Sequence, residues 1–372
     1  MKKNQTVVVL SCHTPSLFWF RMEMMEEFIK RGHKVYALAN ESEADWADKF
    51  AEHGVKYIQI DVQRNGVNPL NDVKAFFSIR KQLKKINPDK IFTFQAKTII
   101  YGTMAANSLG INKVFPLVAG MGSVFLNNDL KSRIIRKIMV LEYKISMQYC
   151  GYVFFQNHDD EKIFRDCGII GKQRIVMLHG SGVNTEKFEV TPLPDSTSFL
   201  CISRLIKDKG LYEYLKACDK VKKQFPEIRC MLVGPYDSNP SALKPEELQP
   251  YIDNGVIEYF GEQEDVRPYL EQSSVFVLPS YREGTPKTNL EAMASGRAVI
   301  TTDAPGCKET VINGENGLLV PVKDVYALTH KMIYLHNNRD IIEQMGKIGR
   351  RMAVDTFDVK KVNATICNIM NL

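Results

Sequence analysis

The chain of 372 residues is long enough for two domains of ordinary size, each with its own core, which excludes a disulfide-stapled miniprotein. Its 44% hydrophobic and 25% charged residues exclude a mainly disordered chain, and no run approaches the roughly 18–20 consecutive apolar residues that span a bilayer. The formal charge of +6 is uneven: residues 1–190 hold 27 Lys and Arg against 19 Asp and Glu, net +8, while residues 191–372 hold 22 against 24, net −2. An anionic partner for the basic half is one reading and a solvated surface the other.

Along the chain, short β-rich runs alternate with helix-length segments to about residue 320, the pattern of parallel sheets covered by helices. The start, MKKNQTVVVL, leads into a strand and lacks a long apolar signal segment, so a cytoplasmic protein is expected. Strands are expected at 7–10, 34–38, 57–60, 90–94, 113–118, 152–155 and 174–177, with helices such as 18–31 and 73–86, the latter stopped by Asn87-Pro88. TPLPDST at 191–197 reads as a linker. The expected division is an N-terminal domain at 1–190, a C-terminal domain at 191–355, and a helix at 356–372 packing back towards the first. Further strands are expected at 199–203, 229–233, 257–260, 274–278 and 298–301. Eight cysteines with no CxxC spacing read as buried, reduced thiols.

Two open α/β sheets joined by one linker leave a cleft, and such sheets bind ligands beyond the carboxyl ends of their strands. There the unusual residues fall. After FLCIS come Arg204 and Lys209, a planar fork and a point charge able to clamp a diphosphate. After SVFVLPS comes Tyr281-Arg-Glu283-Gly-Thr285-Pro286-Lys-Thr288-Asn289-Leu290-Glu291; Thr285 is a plausible N-cap and Pro286 fits the first helical position, making the helix start an anion site. Glu283 precedes the cap and Glu291 follows it, so they meet opposite ends of a ligand or, alternatively, line a solvated face. DAPG at 303–306 and NGENG at 313–317 read as ligand loops or plain turns.

The series SRLIKDKG, MLVGP, YFGEQEDV, VFVLPSYREGTPKTNLEAMASGRAVITTDAPGCKE and NGENGLLV resembles the C-terminal domain of the family 4 retaining glycosyltransferases, which have the GT-B fold of two Rossmann-like domains facing a cleft. HGSGVNTEKF at 179–188 resembles the family's crossover. The Phe20-Arg21 pair and the loop Ala119-Gly120-Met121-Gly122-Ser123 resemble bacterial members that extend a sugar on undecaprenyl diphosphate, notably N-acetylgalactosaminyltransferases. The resemblance implies that Arg204 and Lys209 hold a nucleotide-sugar diphosphate, Glu283 contacts the transferred sugar and Glu291 the ribose. It also implies that the backbone at Thr288, Asn289 and Leu290 touches phosphate, and that Gly261 and Glu262 border the base. Relatives often carry Gly-Gly after the first strand; here Ser11-Cys12-His13-Thr14-Pro15-Ser16 stands there, making His13 and Ser16, with Gly120 and Gly122, the candidate acceptor or phosphate contacts.

The expected activity is retaining transfer of a hexose or N-acetylhexosamine from a UDP-sugar to a glycan acceptor, an undecaprenyl-diphosphate-linked one included, for bacterial surface polysaccharide or glycoconjugate assembly. Cations and amide dipoles would stabilise the departing nucleotide; no metal is expected, because no DxD pair lies in a suitable loop, and neither another cofactor nor a nucleic acid is expected. A GT-B sugar-nucleotide 2-epimerase and a non-catalytic nucleotide-sugar-binding protein are the alternatives. Finally, residues 130–149 place Leu130, Ile134, Ile138, Leu141 and Ile145 at helical spacing among Lys131, Arg133, Arg136, Lys137 and Lys144. This is a basic amphipathic helix resting on the inner face of the cytoplasmic membrane, or a core helix with snorkelling cations.

Overall fold

In the computed structural model, which describes residues 4–64, 66, 68–121, 125, 129–237, 239 and 241–372, the apolar runs form parallel strands, most of them buried on both faces. The first series is β1 (Thr6–Leu10), α1 (Thr14–Lys30), β2 (Lys34–Ala39), α2 (Glu43–Ala51), β3 (Lys56–Gln59), α3 (Pro69–Ile86) and β4 (Lys90–Phe94). After a π-helical turn, Thr98–Gly102, come α4 (Thr103–Asn107), β5 (Val114–Val118), α5 (Leu130–Met147), β6 (Tyr152–Phe155), α6 (His158–Asp166) and β7 (Arg174–Met177). All seven strands are parallel, in the order β3-β2-β1-β4-β5-β6-β7.

The second series is β8 (Ser198–Ile202), α7 (Leu211–Gln224), β9 (Arg229–Val233), α8 (Pro245–Asp253), β10 (Glu258–Tyr259), α9 (Arg267–Glu271), β11 (Val275–Leu278), α10 (Lys287–Ala294), β12 (Ala298–Thr302), β13 (Gly317–Val320), α11 (Val325–Asn337) and α12 (Arg339–Asp355). Its six strands are also parallel, ordered β10-β9-β8-β11-β12-β13. Winding reverses between β1 and β4 in one sheet and between β8 and β11 in the other, the switch points at which open α/β sheets bind ligands.

The chain divides into two compact units, Met1–Ser181 with Lys361–Leu372, and Gly182–Lys360. Within the first, α13 (Val359–Met370) contributes Val362, Ile366, Cys367 and Met370 to the core of Met25, Phe28 and Phe92. The buried Lys90 ammonium donates to the Met370 and Asn371 carbonyls, a cation meeting the carbonyl end of a helix. The 191–197 stretch is tied within the second unit: fully buried Arg297 donates to the Thr191 carbonyl at 2.8 Å, and Arg339 to that of Pro194 at 2.6 Å.

Helix α1 begins at Thr14, four residues before the expected start, because Pro15 fits its first turn and the His13 ring accepts from the Ser16 N–H at 3.3 Å. On α5 the apolar stripe faces outward: Leu130, Ile134, Ile138, Leu141 and Ile145 are exposed, and Tyr143, Ser146 and Met147 are buried instead. Core packing of that stripe is therefore the wrong alternative. Helix α3, which like α5 packs on the π-helical turn and α4, exposes Leu70, Val73 and Phe77 at i, i+3 and i+7. Among the described residues no helix is long and apolar enough to cross a membrane.

Candidate active site

Residues from both sides of the second switch point meet through two glycines. Gly210, at φ +71, ends the 3-10 turn Lys207–Lys209; a Cβ there would lie 2.0 Å from the Pro279 carbonyl oxygen, so only glycine lets the loop after β8 rest on the end of β11. That approach pairs the Lys209 ammonium with Glu283 Oε1, to which the Ser280 hydroxyl also donates at 2.7 Å. The paired side chains are 19% and 13% exposed. Gly306, at φ +83, backs the Glu283 turn: a Cβ would fall 2.2 Å from the Glu283 carbonyl oxygen, and the Glu283 N–H donates to the Pro305 carbonyl at 2.9 Å. DAPG is thus the support of Glu283. NGENG is turn chemistry, with buried Asn316 accepting from the Ile312 N–H at 2.7 Å and donating to the Thr310 carbonyl.

Arg204, just past β8, is held by Asp237 at 2.6 Å, a partner after β9 that the sequence reading missed. Gly261 follows β10; its carbonyl accepts from the Gly234 N–H at 2.7 Å, and the neighbouring Glu262 is exposed. This turn therefore lies at the same carboxyl edge, on the β10 side of the sheet.

Helix α10 starts at Lys287, one residue later than expected, because Pro286 is extended at ψ 112; Pro286 is the N-cap, so Thr285 does not fill that position, and among the described residues no side chain hydrogen-bonds as the helix's cap. The Asn289 and Leu290 amides donate to the Pro286 carbonyl at 3.1 and 3.4 Å, so an anion at this helix would meet the amides of Lys287 and Thr288. Asn289 and Leu290 are fully buried, and Asn289 Nδ2 donates to Thr310 Oγ1 at 2.9 Å; their side chains belong to the core. Glu291 is 9% exposed, with Lys287 Nζ 4.0 Å from its carboxylate. Burial pushes the nearby Cys307 thiol up to about 12, and the Glu283 charge adds to the shift, so this cysteine stays protonated.

At the first switch point, His13 caps α1, its Nδ1 2.7 Å from Ser16 Oγ and its Nε2 3.1 Å from Arg64, so His13 and Ser16 bind each other as a cap. Gly120 takes φ +93 beyond β5; Gly122 and Ser123 lie outside the described residues. The sequence reading missed Gln95, at φ +73 just after β4, whose Oε1 accepts from Ser11 Oγ at 2.8 Å and the Cys12 N–H at 3.0 Å. It also missed the Lys97–Asp72 pair at 2.7 Å and the Tyr101–Glu142 hydrogen bond at 2.7 Å. Burial raises the Glu142 carboxyl above the usual range, and the Asp72 charge adds to it. The available signal was position: QAK directly follows a buried strand. Among the described residues no three His, Cys, Asp or Glu gather as metal ligands.

Two doubly wound parallel units, with an ion pair and a helix start at one switch point, define an α/β protein of the class that binds ligands at its strand ends, and sequence comparison gives the family. Residues 196–338 match the family described as Glycosyl transferases group 1, and residues 8–154 the one described as Glycosyl transferase 4-like; the chain belongs to the family 4 glycosyltransferases with the GT-B fold. It is 28% identical over 334 residues, 86% of each chain, to N,N'-diacetylbacillosaminyl-diphospho-undecaprenol alpha-1,3-N-acetylgalactosaminyltransferase of Campylobacter jejuni. Over 84% of this chain and 82% of the other it is 22% identical to the Escherichia coli UDP-Gal:alpha-D-GlcNAc-diphosphoundecaprenol alpha-1,3-galactosyltransferase. Among solved structures, sucrose-phosphate synthase of Thermosynechococcus elongatus superposes with a TM-score of 0.83 at 19% identity, over 99% of this chain and 98% of that one. Anabaena HepE in complex with UDP gives 0.76 at 13%, over 99% and 100%.

Proposed function

We propose that this glycosyltransferase moves a hexose or N-acetylhexosamine from a UDP-sugar to an undecaprenyl-diphosphate-linked glycan, retaining anomeric configuration and using no metal. The observation that carries the reading is the Lys209–Glu283 pair at the second switch point, beside the start of α10 and Arg204. Breaking the C1–O bond sends its electron pair to the departing diphosphate, so cations and amide dipoles preorganised there lower the barrier. In this scheme Arg204 and Lys209 neutralise the diphosphate, Glu283 takes a hydroxyl of the transferred sugar, and Glu291 takes the ribose. The acceptor oxygen bonds C1 on the leaving-group face and passes its proton to the leaving phosphate. The acceptor class is supported by the names of the Campylobacter and Escherichia coli relatives, and UDP by the complex with Anabaena HepE.

The exposed apolar stripes of α5 and α3, with Lys131, Arg133, Arg136, Lys137 and Lys144 on α5, suit docking on an anionic bilayer, where a polyprenyl acceptor resides. At roughly 1 kcal/mol per surface cation, changing Arg133, Arg136 and Lys137 together to Gln is expected to weaken vesicle partitioning about a hundredfold with UDP affinity unchanged. Sedimentation with phosphatidylglycerol vesicles and calorimetric UDP titration read the two. For the reaction itself, radiolabelled UDP-sugars with an undecaprenyl-diphosphate-linked acceptor are the test. Product without acceptor, as a free epimerised nucleotide-sugar, would favour the epimerase instead.

A further inference from the structure

Arg21 is a buried charge that the scheme above leaves unused. It sits on the second turn of α1, is 3% exposed, and its guanidinium carbon lies 5.0 Å from the Phe94 ring centroid and 5.9 Å from that of Phe92. Its Nε is enclosed without a hydrogen-bond partner, and among the described residues no carboxylate pairs with the group. Burial alone pushes its pKa down to about 10. Buried guanidinium groups are ordinarily held by an anion, and two ring contacts offset the lost hydration only in part. A charge kept at that cost, when a methionine would fill the space, calls for a ligand that is not part of the chain.

The position says where such a ligand would enter. Helix α1 leaves the carboxyl end of β1, and long helical side chains lean towards their helix's N-terminus, so Arg21 points at that edge of the sheet. Phe94 is the last residue of β4, the strand paired with β1 across the first switch point. Immediately beyond it stands Gln95 in its left-handed conformation, bracing Ser11 and Cys12. The ligand is therefore anionic, meets a planar fork, and belongs to the unit that does not carry the donor-site residues. A phosphate is the group that such a fork matches.

We propose that Arg21 binds the diphosphate of the lipid-linked acceptor at the switch point of the first sheet. This rests on the acceptor class proposed above, and the experiment separates the two. The full-length protein and its Arg21→Met and Arg21→Lys variants are compared for melting temperature with and without inorganic pyrophosphate, for acceptor KM with a polyprenyl-diphosphate-linked sugar, and for UDP affinity. Arg21→Met is expected to melt at or above the native temperature, to lose the pyrophosphate-induced rise, and to raise acceptor KM at least tenfold with UDP affinity native. Arg21→Lys, keeping charge without the fork, should fall between. A methionine variant that melts several degrees low, or either variant with native acceptor KM, overturns the proposal. So does selective loss of phosphatidylglycerol-vesicle binding at unchanged acceptor KM, which would assign the arginine to a lipid headgroup. If the native protein uses no lipid-diphosphate acceptor, the acceptor reading fails alone; a pyrophosphate shift that Arg21→Met abolishes would still support an anion site here, and its persistence would reject one.

Discussion

Replacing Lys209 with alanine removes the ammonium from a pair whose side chains are 19% and 13% exposed, and leaves Glu283 with the Ser280 hydroxyl as a remaining donor. Two separate losses follow. Removing one preorganised charge from a transition state costs about 10²–10³ in rate, roughly 2.7–4 kcal/mol. Breaking a fully buried pair costs about 3–5 kcal/mol; with part of the pair in water and Ser280 still in place, about 1–3 kcal/mol is a fairer figure. At roughly 2–4 °C per kcal/mol for a unit of this size, the melting temperature should drop by about 2–12 °C. Adding Glu283→Gln to Lys209→Ala removes the orphaned carboxylate, so stability should recover in part while transfer does not. Single-turnover transfer of radiolabelled sugar, run well below the melting temperature, separates these terms. A folded Lys209→Ala protein whose rate stays within threefold of native would refute the assignment of Lys209 to the leaving diphosphate.

Transfer should survive EDTA, since Arg204, Lys209 and the start of α10 supply the positive field; complete loss restored by Mg²⁺ or Mn²⁺ would overturn metal independence. Gly210→Ala should unfold or severely destabilise the second unit because its Cβ meets the Pro279 carbonyl oxygen at 2.0 Å, whereas Gly255→Ala, at φ +65 with nothing within 4 Å, should cost only about 1–2 kcal/mol. Chemical denaturation compares them, and equal losses would mean that the clash is relieved by backbone movement. Glu142→Gln should be stabilising at pH 7: burial raises the folded carboxyl above its ordinary value of 4.5, so the native protein bears a charging penalty that is full at neutral pH and disappears as pH falls below that value. Melting curves from pH 7 to pH 4 should show the variant's advantage shrinking to nothing, and a growing advantage on acidification would contradict this sign.

The sequence by itself determined the alternation of apolar strands and helices, the order of motifs in the second half, and the residue types at strand ends. These are local properties: β4 at Lys90–Phe94, β6 at Tyr152–Phe155 and β9 at Arg229–Val233 fall where the apolar runs end. The start of α10 was legible to one residue, because proline restricts its own backbone and that of its neighbours. Tertiary structure alone decided what touches what. Asp237 and Ser280 looked like ordinary loop residues until Arg204 and Glu283 were brought to them, and Gly306 gained meaning only when its missing Cβ made room for the Glu283 carbonyl. The same holds for α5, whose periodicity fits a core helix as well as a surface one: spacing fixes which residues share a face, but which way that face turns depends on the neighbouring π-helical turn and α4, elements distant in sequence. Arg21 is the clearest case, a single letter in an amphipathic helix whose burial over Phe92 and Phe94 exists only once β4 lies next to β1.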